Sequence, residues 1–437
     1  MKIYLPENLD LESVIIDYEE KYKEKYQWII HTIVSQKYKV KPGIGDYVNL
    51  DQVTLRKFLG ERYCKDILKQ LESSGIIKIN SKYSANKFCM SYKLTEKYGS
   101  SGVKSVDFTG DKAIRYIYKL NDFDEKRLAE QLKNPAVAQL FKNVYKIDID
   151  KQGALTYAAK SYNKGEINIE QYISAFVSIE NISNKDENYF FTVDEKTGRV
   201  YHSIANCPRY LRQFLSYEGE QLFQIDIANS QPMLFYSLIL DFLENRKSIN
   251  EHILSNNTND TYLSTTLSPY VETISDNELP ADVIRYKEKT STGLFYEDLM
   301  IEFGIPINTE SRIAFKTNFF GTIFFSKVHG SWEYPESKKF KVVYPTVIDA
   351  VIWHKRFSHA DLALKLQKVE SDIVIKGVCG RIVEENNADS VPFFCTVHDC
   401  IVCLNKDVDY IKGLLEGELK AVMGFVPMVK TSAFAKN

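Results

Sequence analysis

Two aspartates sit where an ionised side chain is costly. Asp226 lies in the run FQIDIANSQPML (223–234) and Asp399 in FFCTVHDCIVCL (393–404), and each run is otherwise apolar enough to read as a buried β-strand. A carboxylate in such a setting needs a partner or a metal ion to replace its lost hydration. The two are 173 positions apart, so they meet only through tertiary folding. Their common need is a shared cation. Two divalent ions held about 4 Å apart activate a hydroxyl and hold a phosphate in line with its leaving group.

A third stretch, ESRIAFKTNFFGTIFF (310–325), supplies what a triphosphate would require. On a helix, Arg312, Lys316, Phe320 and Phe324 follow at four-residue steps and project along one slowly drifting stripe. Cations on that stripe suit phosphates, and a ring suits a base or sugar. The plainer alternative is an amphipathic helix whose cations snorkel over a phenylalanine core. For Asp399, the plainer alternative is a tight turn that the aspartate itself caps.

The elements that must position these residues divide into three regions. Residues 1–110 read as a small separate domain: LDQVTLRKFL and GERYCKDILKQLESSG are helical patterns, the second carried by Tyr63, Ile67, Leu68 and Leu71 and stopping at Gly75, and IIKIN and FCMSYKLT read as a hairpin. Residues 111–190 are mostly helical, and 191–437 hold the chemistry, with the stretch at about 240–335 as the part that the resemblance below implies to be helical fingers. An Asn/Ser/Thr/Asp-rich stretch at about 244–290 reads as an irregular insertion.

With 437 residues, 44% apolar and 26% charged, the chain exceeds a single core and is neither disordered nor fibrous. Its net charge of −2 confines any nucleic-acid surface to a local basic patch. Seven cysteines, an odd count, and a start without a basic stretch followed by an apolar one lead us to expect a cytoplasmic protein, and no apolar run is long enough to span a membrane. Cys400 and Cys403 face opposite sides of a strand, a poor zinc pair.

The order helix, helix, hairpin resembles a winged helix. Between residues 51 and 110 there are 11 Lys+Arg against 6 Asp+Glu, with Lys65, Lys69, Lys82 and Lys87 near the expected recognition helix and wing, a surface that suits nucleic-acid phosphates, with the solvated face of a protein-contact domain as the plainer alternative.

The pattern Arg312-x3-Lys316-x3-Phe320-Gly321, followed by Phe324 and Phe325, resembles the O-helix of family-A polymerases, which include DNA polymerase I-like enzymes and, more distantly, the phage-type single-subunit RNA polymerases. Where that family has Tyr and Gly, this sequence has Phe324 and Phe325, so no phenolic hydroxyl is available from that ring. IDIANSQPML resembles the family's motif A, TVHDCIV its motif C, and LQKVESDIVIKGVCGRI its Q-x4-D-I segment through Gln367, Asp372 and Ile373. The resemblance covers about 190–437.

It implies an α+β right-hand polymerase: a palm of antiparallel sheet, helical fingers, and a thumb that 111–190 would suit, behind the winged-helix-like domain. Asp226 and Asp399 would hold two Mg²⁺, or Mn²⁺ in their place, with the Ile227 carbonyl as a further ligand, and His398 would position the primer end. Arg312 and Lys316 would clamp the phosphates of an NTP or dNTP, beside the rings of Phe320 and Phe324. Gln367 and Gln231 would face a template-primer, as would one of Arg199, Arg209 and Arg212, of which KTGRVYHSIANCPRYLRQFL leaves the choice open. The expected activity is DNA synthesis without proofreading. The family's motif-A glutamate, which crowds a ribose 2′-hydroxyl, has no counterpart after Ser230, Gln231 and Pro232, so an RNA polymerase or primase stays open. The rival from another class is a non-catalytic DNA-binding or replication-initiator protein.

Overall fold

The structure is a computed structural model that describes residues 2–15, 18–37, 47–50, 52–81, 90–108, 126–185, 190–254, 278–326, 334–387 and 390–434. Lys82 and Lys87 lie outside the described residues. The strands of the N-terminal region are β1 (Lys2–Pro6), β2 (Val48–Asn49), β3 (Ile77–Asn80), β4 (Ser91–Leu94) and β5 (Val103–Asp107). β1 pairs with β5, and β2, β4 and β3 form a three-stranded antiparallel sheet in that order. The helices Gln52–Leu59 and Cys64–Ser73 precede the β3–β4 hairpin as the pattern predicts. The second buries Cys64, Ile67, Leu68 and Leu71 and ends at Gly75, whose φ of 68° suits a residue without a Cβ. Tyr63, expected on the buried face, is instead 40% exposed just before the helix begins. The sequence reading missed the helix Lys23–Lys37, whose Tyr26, Ile29, Ile30 and Ile33 fill this domain's core.

The next strands are β6 (Ile147–Ile149), β7 (Phe191–Val193), β8 (Val200–His202), β9 (Leu215–Tyr217), β10 (Glu220–Ile227), β11 (Phe394–Val397), β12 (Cys400–Leu404) and β13 (Val429–Ala433). They build the central antiparallel sheet in the order β11-β12-β10-β9-β6, with β13 also pairing with β10, while β7 and β8 form a separate hairpin. Alternation divides the sheet between two cores: Ile401 and Cys403 face the large cluster formed with the helices of 230–423, and Cys400, Val402 and Leu404 face a smaller cluster beneath. Residues 126–185 are therefore joined to this sheet. Their β6 pairs with β9, and their helices Lys151–Asn163 and Ile169–Ser183 cover its lower face.

Two expectations are corrected here. The run around Asp399 is two strands joined by the turn His398–Asp399, because His398 adopts a left-handed φ of 57° and reverses the chain. The stretch at 244–290 is not irregular at its described ends. The helix Ser230–Leu254 runs into it, and Ala281–Ser291 forms a helix by burying Val283, Tyr286 and Thr290 at helical spacing; residues 255–277 lie outside the described set. Helices and antiparallel sheet together match the α+β class. Among the described residues no helix is long and apolar enough to cross a membrane.

The turn is braced by a buried histidine. His202 Nε2 lies 2.8 Å from the Thr396 carbonyl and Nδ1 accepts from Ala205 N, so the ring is neutral with its proton on Nε2. Burial lowers its pKa to about 4. Protonation therefore opposes the fold, and the stabilisation of the neutral ring is lost as pH falls from about 6.5 through about 4. His202→Ala should lower unfolding free energy by about 2–3 kcal/mol at pH 7 in urea titrations, with a smaller loss at pH 4.5.

Candidate active site

The register of the central sheet sets the two acids side by side. Asp226 pairs with Cys400 across β10 and β12, so Asp399 is one residue beyond Asp226's cross-strand neighbour, at the open end of the ladder. Burial, then the charge of Asp399, push the Asp226 carboxyl up to about 6, while Lys316, Arg209 and Lys430 pull it down. Ser230, at the start of the helix Ser230–Leu254, donates its hydroxyl to Asp399 Oδ2. The positive end of that helix thus abuts the acids. Ile227 follows Asp226 on β10 with its side chain in the upper core.

The helix Thr309–Phe319 is capped by the Asn308 side chain and buries Phe315 and Phe319, which turns Arg312 and Lys316 outward. Lys316 is near enough to lower Asp226, and its ammonium stands 5.6 Å from the Tyr296 ring centroid and 6.0 Å from that of Phe320. Arg312 donates to Glu297 Oε1 and lies over the same Tyr296 ring. The predicted stripe does not hold to its end. From Phe320 to Phe324 the chain winds as a π-helix, with Phe325 N bonded to the Phe320 carbonyl at 2.8 Å. Phe324 is fully buried against Phe235 and Phe319, so the ring expected to meet a nucleotide belongs to the core. Phe320 instead stacks on the exposed Phe325, 5.5 Å between centroids.

The remaining residues separate into groups. His398 is exposed at the turn, and partial loss of hydration together with the Arg212 guanidinium lowers its pKa. Arg212 also donates to the Cys207 carbonyl, and Arg209 is exposed with its charge felt at Asp226. Arg199 is committed elsewhere: its guanidinium meets Glu370 Oε2 at 2.6 Å. Gln231 donates to the same oxygen at 2.9 Å. Gln367 is half-buried one turn before Glu370. Lys65 and Lys69 are exposed on the helix Cys64–Ser73.

Three residues escaped the sequence reading. Glu370, 2% exposed, carries a carboxyl that burial pushes up to about 7 against the pull of Arg199. Its position was legible, because Leu362, Leu366 and Glu370 follow at four-residue steps on one helix face. Lys430 is the cross-strand partner of Asp226 on β13, a pairing that nothing local encodes. Tyr296 forms the floor beneath Arg312 and Lys316, with its hydroxyl buried and without a hydrogen-bond partner.

Asp226, Asp399 and a backbone carbonyl are hard oxygen donors, the set that suits Mg²⁺. Among the described residues no group of three or more His, Cys, Asp or Glu side chains converges as a closed metal cage. An open pair of carboxylates fits an ion that keeps waters and substrate phosphates as its other ligands.

No family model matches the chain, and no curated protein does. Among solved structures it is similar to the POL domain of Pol1 from M. smegmatis in complex with DNA primer-template and dNTP, with a TM-score of 0.40 and 13% identity. That alignment covers 64% of this chain and 55% of that one, so the chain spans little more than half of its length.

The raised Asp226 carboxyl favours the fold when protonated. Its contribution is complete below about pH 4 and is lost as pH rises through about 6. Asp226→Asn should therefore stabilise the metal-free protein at pH 8 by about 1–2 kcal/mol, discounted for partial solvation, with the gain shrinking toward pH 4.5 in urea titrations in EDTA.

Proposed function

We propose that the protein is a template-directed nucleotidyltransferase, a compact DNA polymerase that acts by two-metal phosphoryl transfer. The observation that carries this reading is the placement of Asp226 and Asp399 together at the end of β10 and β12, with Lys316 of the facing helix close enough to act on Asp226. Two carboxylates that repel in a half-dry site call for a shared cation, and the nearby cationic side chains of Lys316 and Arg209 suit a phosphate substrate.

Asp226, Asp399 and the Ile227 carbonyl would hold Mg²⁺ or Mn²⁺, which when bound lowers the pKa of an attacking hydroxyl and stabilises the charge of a departing pyrophosphate. The chain's own side chains do the rest. Lys316 and Arg312 bind the triphosphate oxygens as an electrostatic clamp, with both cations over the Tyr296 ring and Arg312 oriented by Glu297. The Phe320–Phe325 stack offers an aromatic edge to the base or sugar. His398, projecting from the turn beside Asp399, orients the primer end, and Arg209, Arg212, Gln231 and Gln367 line the approach of the template-primer. The N-terminal domain is read as a winged helix whose exposed Lys65 and Lys69 contact nucleic-acid phosphate.

Primer extension on a DNA template with Mg²⁺ and either dNTPs or rNTPs tests the assignment. Wild type should extend, EDTA should abolish extension, and Asp399→Asn should lose about 10³-fold or more in rate. Equal rates for wild type and Asp399→Asn, or no extension with either nucleotide set, would overturn the catalytic reading. Lys316→Ala should act on the nucleotide, raising its KM about 10-fold while primer-template affinity is kept.

A further inference from the structure

The most heavily buried acid near the site is neither of the two aspartates. Glu370 stands at the end of the helix Asp361–Ser371, on the face where Leu362 and Leu366 are fully buried, so an apolar residue would fill its place at less cost. Its Oε2 instead gathers two side chains from distant segments: Arg199 at 2.6 Å, just before β8, and Gln231 at 2.9 Å, in the first turn of the helix that follows the Asp226 strand. Three pieces of chain are tied at one oxygen.

The approach of the Arg199 segment is itself specified. Gly198 has a φ of 74°, and a Cβ placed on it would come 2.8 Å from Ser371 Oγ, so a side chain there would be strained and would displace the serine hydroxyl where this turn closes onto the Glu370 helix. Glu370 Oε1 and Arg199 Nε are both buried without a protein hydrogen-bond partner, and both residues border a small cavity whose other walls include Thr396 and His398. Asp399 acts electrostatically on Glu370 from nearby without touching it. Gln231 directly follows Ser230, the residue that donates to Asp399.

We propose that Glu370 is a positioning residue for nucleotidyl transfer: by holding Arg199 and Gln231 on one carboxylate oxygen, it fixes the primer-end side of the site, where Ser230–Asp399 and His398 converge. It touches neither metal nor nucleotide. Arg199, which the sequence offers as a primer contact, then acts as the strut of this node. The inference rests on the polymerase reading and adds a residue that the motifs do not name.

The test compares wild type, Glu370→Gln, Glu370→Asp, Arg199→Gln and the double variant Arg199→Gln/Glu370→Gln in single-turnover primer extension, with thermal melts of each. Glu370→Gln should lower the maximal rate about 10- to 100-fold, the scale of a misplaced reacting group, with the nucleotide KM within about 2-fold of wild type. Glu370→Asp should recover part of that rate, and the double variant should be no slower than the slower single variant, since both break one node. A wild-type rate in Glu370→Gln would overturn the inference. So would a rate loss that matches the fall in folded fraction, a rise in nucleotide KM in place of the loss of rate, or additive losses in the double variant. These outcomes differ from failure of the underlying reading, in which wild type itself extends no primer with dNTPs or rNTPs.

Discussion

The placement of two carboxylates at one end of a buried sheet is the constraint on which the rest of the site depends. Each acid alone is affordable, because Asp226 is the last residue of β10 to pair with β12 and Asp399 lies in a turn, so both keep part of their hydration. Together they repel, and the surrounding structure answers with positive potential from several directions. The helix beginning at Ser230 points its N-terminus at them, Lys430 faces Asp226 across the sheet, and Lys316 and Arg209 act from outside. Even so, burial first and the charge of Asp399 second keep the Asp226 carboxyl raised.

Two π-helical stretches flank this centre, at Phe320–Phe324 and Asp372–Cys379, each continuing an α-helix that carries site residues. A wider turn rotates the following side chains relative to α-helical spacing, which accounts for Phe324 in the core where the four-residue pattern would have left it beside Phe320. It also loosens the carbonyls at the end of the first stretch. Lys355, 2% exposed, reaches them: its Nζ donates to the Ile323 and Ser326 carbonyls at 2.5 and 3.1 Å. Burial lowers that ammonium to about 8, so the helix terminus is held by a cation that the interior tolerates only because two carbonyls receive it.

The sequence carried the strands around Asp226, the helices at 52–73, and the outward face of Arg312 and Lys316, because each rests on local periodicity and on the cost of burying charge. It misled where a single backbone torsion decides the outcome. His398 in the left-handed region turns one apparent strand into two, and a π-turn removes Phe324 from its stripe. It was silent where two distant segments choose each other. Nothing near Lys430 announces Asp226, and nothing near Tyr296 announces the cations above it. Glu370 is the intermediate case, since its place on an apolar face was readable although its partners were not.

One helix sets how the N-terminal domain stands relative to this centre. In Ile169–Ser183, Ile173 belongs to the N-terminal core, with Tyr172 and Phe176 packed against it, while Ala175, Ile179 and Ile182 belong to the cluster beneath the central sheet. Tyr4 fixes the contact from the other side: its hydroxyl donates to Asn181 at 2.8 Å and its ring meets Phe176 edge-on at 6.2 Å. A helix with both faces apolar and both covered is a shared wall and not a linker, since exposing either face would cost about 25 cal/mol for each Å² uncovered. The exposed lysines of the helix Cys64–Ser73 are therefore carried on a domain that packs on the helix covering the lower face of the central sheet.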